Sequence, residues 1–225
     1  MPDDTSFGPE ENGSESSSGE VSAESTSSAV PSERTIRWYD RHAEEYAKWT
    51  RQIDLGGLRD QFLGLVPTDG RILDVGCGAG RDLKYFLGRG REAVGLDPSE
   101  EMARLASDYA ETTVHRCRVQ EFGPEEQFDG IWACASLLHV PEGELPAVFE
   151  RLAGWIRQEG ILYASFCAGE DRGQTARFFN DVGREEAAKL ASGTKGLASQ
   201  KIWVSEDSGG RDGVEWVNVL AKRQI

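Results

Sequence analysis

The sequence predicts an α/β fold built on an open, largely parallel sheet. Short apolar strands alternate regularly with helical stretches between residues 71 and 166, and one strand runs into a glycine-rich loop that opens a helix. Such alternation buries both faces of a sheet under crossover helices.

Ile36, Tyr39, Ala43, Tyr46 and Thr50 recur at three- and four-residue steps. They give an amphipathic helix from 35 to 50, with Ser32 as its N-cap and Gly56-Gly57 beyond its end. A shorter helix over 58–65 stops before Pro67, and Thr68-Asp69-Gly70 is a turn. Strands follow at 71–75, 92–96, 113–118 and 128–134, the last too apolar for an edge. Helices follow at 81–87, 99–109 and 144–157, the third ending at Gly160 before a strand over 161–166. Past Cys167 the pattern weakens to a polar loop at 169–173, a short helix at 184–191 and a loop at 193–196. Two strands, 201–205 and 214–221, joined through Ser208-Gly209-Gly210, close the sheet as an antiparallel pair.

The 225 residues suit one domain with a little to spare. Residues 1–33 hold eight acids, ten serines and no Lys or Arg, which cannot offset the entropy of ordering, so they are expected to be a disordered tail. The domain is then 34–225, and removing the tail's eight charges from the net −14 leaves it −6. That balance argues against gripping DNA, which needs clustered cations. No apolar run nears the roughly 18 residues that span a bilayer. The N-terminus is acidic where a secretory signal is basic, and the four cysteines form no C-x-x-C pair. They read as buried thiols of a reducing cytoplasm, with neither disulfides nor a metal site.

The informative segment is Ile72-Leu73-Asp74-Val75-Gly76-Cys77-Gly78-Ala79-Gly80. Glycine at every second position leaves bare backbone for a ligand. Dinucleotide sites use G-x-G-x-x-G and set pyrophosphate at the helix N-terminus; here the third glycine follows the first by four residues, not five. Asp74 would repel a pyrophosphate and attract a cation. Asp97 ends the next strand 21 residues past Gly76, where a carboxylate meets ribose hydroxyls. One acid for an ammonium and one for a ribose suits S-adenosylmethionine.

These residues, with Gly95-Leu96-Asp97-Pro98-Ser99, Phe128-Asp129-Gly130-Ile131-Trp132-Ala133 and the stretch from Trp155 to Phe166, resemble the class I S-adenosylmethionine-dependent methyltransferases over about 35–222. The resemblance implies a Rossmann-like, doubly wound sheet of seven strands, one antiparallel, helices on both faces, and S-adenosyl-L-methionine as cofactor. It implies that Asp74, Gly76, Cys77, Gly78 and Gly80 line the methionine part and that Asp97 holds the ribose. Pro98 and Met102 would flank the adenine, and backbone at Ala133 and Cys134 would face the methionine end. Met102 also fits the buried face of an amphipathic helix. Residues 34–66 would be lid helices. Where the family carries an acid at the third strand's end, this chain aligns Arg118, leaving either Glu121 as substitute or main-chain contacts at Val119 with stacking.

Methyl transfer from a sulfonium needs no acid for the leaving group; alignment carries most of the acceleration, and a base helps a hydroxyl or protonated amine. His139, after the fourth strand, is the candidate base, against a reading in which it only bonds to backbone beside Pro141. Tyr39 and Tyr46 share a helix face and read as core or lid, and His115 as structural. Ala133-Cys134-Ala135-Ser136 stands where amino-methylating nucleic-acid enzymes carry a Pro-Pro-aromatic box. A small-molecule acceptor is therefore favoured, in a monomer or homodimer. The alternatives are a protein or RNA methyltransferase and a non-catalytic binder of the cofactor or its product.

Overall fold

The computed structural model describes residues 31–168, 176–211 and 213–224. The tail predicted for 1–33 thus lies almost wholly outside the described residues, as does the whole 169–173 loop.

The sheet has seven strands: β1 (Arg71–Val75), β2 (Glu92–Leu96), β3 (Val114–His115), β4 (Phe128–Ala133), β5 (Ile156–Ala168), β6 (Leu197–Glu206) and β7 (Glu215–Arg223). Their order is β3-β2-β1-β4-β5-β7-β6. The first five run parallel, and β7 runs antiparallel to both its neighbours. The helices are α1 (Pro31–Thr50), α2 (Gly56–Leu63), α3 (Arg81–Gly88), α4 (Glu100–Ala110), α5 (Leu145–Trp155) and α6 (Arg184–Gly193).

Successive residues of a strand point to opposite faces, and both faces are buried. Leu73, Val75 and Ile131 pack with Val148, Phe149 and Leu152 of α5 and Ala187 of α6. Ile72 and Trp132 pack on the other face with Phe62 of α2, Leu83 and Phe86 of α3 and Ala106 of α4. α1 lies outside this sandwich, its Ala43 and Ala47 against Met102 and Leu105 of α4. It breaks at His42 (φ −112°, ψ 15°).

Several boundaries differ from the sequence reading. α1 begins at Pro31, so Ser32 lies in its first turn and not at its cap. β3 is two residues long, because beyond His115 the chain leaves β2 and turns at 118–122. α5 ends at Trp155 and passes straight into β5, where the four residues between the paired Ile156 and Ile161 form a bulge with Glu159 at φ 69°. His115 is the exposed end of its strand, its ring tilted against Phe122 with centroids 5.0 Å apart. Among the described residues no helix is long and apolar enough to cross a membrane.

Candidate active site

At the carboxyl ends of β1, β2 and β4 the strands open on a cavity of about 270 Å³, near the lower end of ligand pockets at roughly 300–1,000 Å³. Its floor is the loop after β1. Gly76, Gly78 and Gly80 all have positive φ, at 68°, 53° and 82°, which side chains rarely tolerate. A Cβ on Gly76 would sit 2.3 Å from Ser136 Cβ, and one on Gly80 would sit 2.9 Å from the Ala106 backbone. Those two glycines admit neighbouring chain. Around Gly78 there is open space, so it is the one that leaves room for a ligand.

Asp97 ties this loop to the end of β2: its carboxylate accepts the Gly78 N–H at 2.9 Å and the Ser99 N–H at 2.9 Å. Burial nevertheless pushes its carboxyl up to about 6, against the pull of those two donors. Asp74, 2% exposed, is pushed well above the carboxylate range by burial and by Asp82, despite Arg81. Its Oδ2 has no hydrogen-bond partner, and neither has Ser136 Oγ. Asp82 is the contrasting acid. Burial raises it too, but the Arg81 guanidinium grips both its oxygens at 2.8 Å and Arg59 and Trp132 add bonds, so it stays below its usual value.

Of the residues singled out from sequence, the structure brings Asp74, Gly76, Cys77, Gly78, Asp97, Pro98, Met102, Val119, Cys134 and His139 into the cavity wall. Gly80 and Ala133 are not in that wall: Gly80 seats α3 on α4, and Ala133 is sealed in the sheet core. Both thiols are held protonated, Cys77 raised by burial and Cys134 pushed by burial up to about 12. Met102 packs on α1 and also lines the cavity. Glu121 does not stand in for the missing acid. It caps the Arg118 N–H at 3.4 Å outside the cavity, while Arg118, Val119 and Gln120 line it.

The opposite wall comes from distant segments. Ala135, at φ 53°, turns the chain after β4 and donates its N–H to Ser165 Oγ at 2.9 Å, a strained non-glycine position. It leads to the 3-10 turn Leu137–His139. His139 bonds the Phe178 carbonyl through Nδ1 (2.6 Å) and the Tyr39 hydroxyl through Nε2 (2.9 Å). Its backbone partner is therefore Phe178, not a group beside Pro141. Tyr39 and Tyr46 face the cavity together, ring centroids 5.1 Å apart. Arg177, with its guanidinium 4.3 Å over Trp38, and Phe179 complete this corner. Trp49 and Trp216 lie beyond, each 5.9 Å from the Arg211 guanidinium, which Asp207 holds at 2.9 Å. Ser136, Arg177, Trp216 and the role of Tyr39 carry no local sequence signal, because each depends on chain far away along the sequence.

α1 is fastened over the cavity from several sides. Ser99 Oγ–H donates to Asp40 at 2.6 Å, the Phe178 N–H to Thr35 Oγ1 at 2.7 Å, and Arg51 to the Ala79 carbonyl at 2.8 Å. Among the described residues no three His, Cys, Asp or Glu side chains gather as a metal site.

Comparison with known proteins agrees with this geometry. Residues 72–160 match the family model for a methyltransferase domain. A ubiquinone biosynthesis O-methyltransferase of Rhodopseudomonas palustris (strain BisB5) is 35% identical over 97 residues, 41% of this chain and 38% of the relative. The chain thus matches well under half the length of such curated relatives. Among solved structures, the 1,6-didemethyltoxoflavin-N1-methyltransferase of Burkholderia thailandensis, with bound 1,6-didemethyltoxoflavin and S-adenosylhomocysteine, superposes with a TM-score of 0.69. It is 20% identical and covers 91% of this chain and 94% of its own. The N-methyltransferase NodS of Bradyrhizobium japonicum WM9, with S-adenosylhomocysteine, gives a TM-score of 0.67 at 12% identity over 84% of this chain and 98% of its own. Residues 72–160 thus match a methyltransferase-domain model, and the fold is shared with these solved methyltransferases.

Proposed function

We propose that the chain transfers a methyl group from S-adenosylmethionine to a small-molecule acceptor. The observation that carries this reading is Asp74, an acid buried in the cavity wall with one oxygen unpartnered. A carboxylate so desolvated is costly unless a cation or donors meet it. An ammonium group satisfies it, and the neighbouring Ser136 hydroxyl supplies a second polar atom; a pyrophosphate would meet only repulsion. Gly78 leaves bare backbone beside that acid, and Asp97, already fixed by two N–H donors, keeps lone pairs for ribose hydroxyls. Pro98, Met102 and Val119, with Arg118 and Gln120 beside them, line the part of the cavity left for the base. The residues fit the cofactor.

When bound, the cofactor supplies a sulfonium methyl that leaves a neutral thioether behind. The protein's part is to align and to exclude water. α1 covers the cavity, and Tyr46, Trp49, Phe179 and Trp216 give the acceptor side an apolar, aromatic surface that restricts its pose, where alignment can contribute roughly 7–11 kcal/mol. The curated relatives are named as O-methyltransferases of ubiquinone biosynthesis, which favours a small acceptor here. We take the acting unit to be one domain over 34–225, monomeric or homodimeric, working in the cytoplasm and without DNA, in keeping with its net negative charge.

Calorimetry tests the reading. S-adenosylhomocysteine should bind the wild-type chain, and Asp74→Asn should weaken binding at least tenfold, about 1.4 kcal/mol, as one charge-assisted contact is lost. Failure of the wild type to bind, or preference for NADH, would end this reading.

A further inference from the structure

The Phe178 carbonyl can only accept, so His139 must carry its proton on Nδ1. In the neutral ring Nε2 is then an acceptor, and the Tyr39 O–H donates to it over 2.9 Å. The ring cannot turn away easily. Its anchor, Phe178, also donates its own N–H to Thr35 Oγ1 of α1, and the Asn180 N–H donates to the Leu138 carbonyl at 2.7 Å. The nitrogen that could serve as a base is therefore covered by Tyr39, and the acceptor cannot reach it directly. Tyr39, by contrast, lines the cavity; its oxygen meets Arg177 Nη1 at 3.4 Å and the Tyr46 hydroxyl, and an acceptor hydroxyl would take the place of Tyr46 there. Tyr46, on the same helix, and Arg177 are the titratable or charged groups facing the pair among the described residues, with the Phe179 and Trp38 rings beside them.

Resting on the methyl-transfer reading above, we propose that Tyr39 takes the proton of a hydroxyl-bearing acceptor and passes its own proton to His139. Tyr39 is then the catalytic residue and His139 the relay behind it. The acceptor's O–H bond breaks and that proton forms a new O–H bond on Tyr39. The former Tyr39 proton bonds to His139 Nε2, giving an imidazolium whose Nδ1–H still donates to Phe178. The electron pair freed on the acceptor oxygen forms its bond to the transferred methyl; once the product has left, the imidazolium returns its Nε2 proton to Tyr39, whose cavity-side proton passes to water, and the pair is reset. If His139 is protonated beforehand, Nε2–H donates to Tyr39 instead and the relay runs the wrong way. Activity therefore rises with pH through the histidine titration.

The test uses the full chain, labelled S-adenosylmethionine and catechol as the hydroxyl probe. Tyr39→Phe, which keeps the ring but not the donor, should lower kcat by roughly 10²–10⁴-fold, the usual contribution of general base catalysis. Its calorimetric affinity for S-adenosylhomocysteine should stay unchanged. Nitrogen NMR should show the Nδ1-protonated tautomer of His139, with the Nε2 signal moving when Tyr39 loses its hydroxyl. His139→Asn should abolish the acidic limb of the pH profile; should Tyr39→Phe fail to fold, that limb decides alone, its persistence overturning the relay. A wild-type rate in Tyr39→Phe, an Nε2-protonated tautomer, or catechol left unmethylated while S-adenosylhomocysteine binds would each overturn the proposal. A wild type that does not bind S-adenosylhomocysteine would remove the cofactor reading first and the relay with it.

Discussion

The two sides of the cavity are assembled differently. Most of the cofactor side comes from a continuous run, Asp74 to Met102, in which two parallel strands set Asp74 beside Gly95, two residues before Asp97, and the Asp97 carboxylate stitches the loop between them. The acceptor side joins α1, the turn after β4, the 177–180 segment and the β6–β7 connection, and its central hydrogen bond links positions a hundred residues apart. A site written in one segment is fixed by backbone geometry. A site gathered from four segments is fixed by their packing, and small sequence changes can remodel it without touching the other half.

The largest expected effect falls on the local side. Gly80→Val would press a side chain into the Ala106 backbone at a φ of 82°, costing about 2–6 kcal/mol of stability from overpacking and strain together, seen as a lower denaturant midpoint. Retained stability would show that the loop is not the rigid element it is taken to be.

A second measurement sharpens the contrast through pH. Asp97 is raised to about 6, so its ionised, ribose-binding form is lost as pH falls through that value. Affinity for S-adenosylhomocysteine should drop about tenfold between pH 7 and 5, with a shallower slope in Asp97→Asn, since each pH unit below the pKa removes a factor of ten of carboxylate. The empty protein's stability should run the other way. Its folded pKa exceeds the unfolded one, so the Asp97 contribution is full below about 4 and is lost as pH rises through 6. A flat binding curve would detach Asp97 from the ligand.

The smallest effect belongs to the gathered side. Trp49→Ala removes a ring that meets Tyr46 at 5.5 Å and faces the hairpin tip at Gly209. It should leave S-adenosylhomocysteine affinity unchanged while raising the acceptor KM about tenfold, as expected for loss of roughly one aromatic contact, about 1.4 kcal/mol. Equal losses for both ligands would erase the distinction between the two sides.

The same contrast explains what could be read in advance. Strands 71–75 and 92–96 and the acids at their ends were legible, because short apolar runs buried on both faces, the glycine spacing and the chain length between Gly76 and Asp97 are local properties. Gly80 shows the limit of that reading: its place in the motif is visible, but the Ala106 backbone it admits is not. His139 was legible as a residue near the site, while the Tyr39 hydroxyl covering its Nε2 was not, since no periodicity within α1 reports what lies across a cavity. The early end of α5 at Trp155 escaped for a related reason: Ile156 continues the helix's apolar spacing from Leu152 with no breaker before Gly160, and only its pairing with Phe128 makes it strand.

The two margins of the sheet deserve a consequence of their own. At one end β3 offers a neighbouring molecule two residues to pair with. At the other, β6 is ten residues long, but a register shift between Ser199 and Lys201 twists it and charged Lys201 and Glu206 stand exposed along it. Open-ended stacking of strands from copy to copy is discouraged at both limits, so a seven-stranded sheet with no barrel closure can stay dispersed at high concentration.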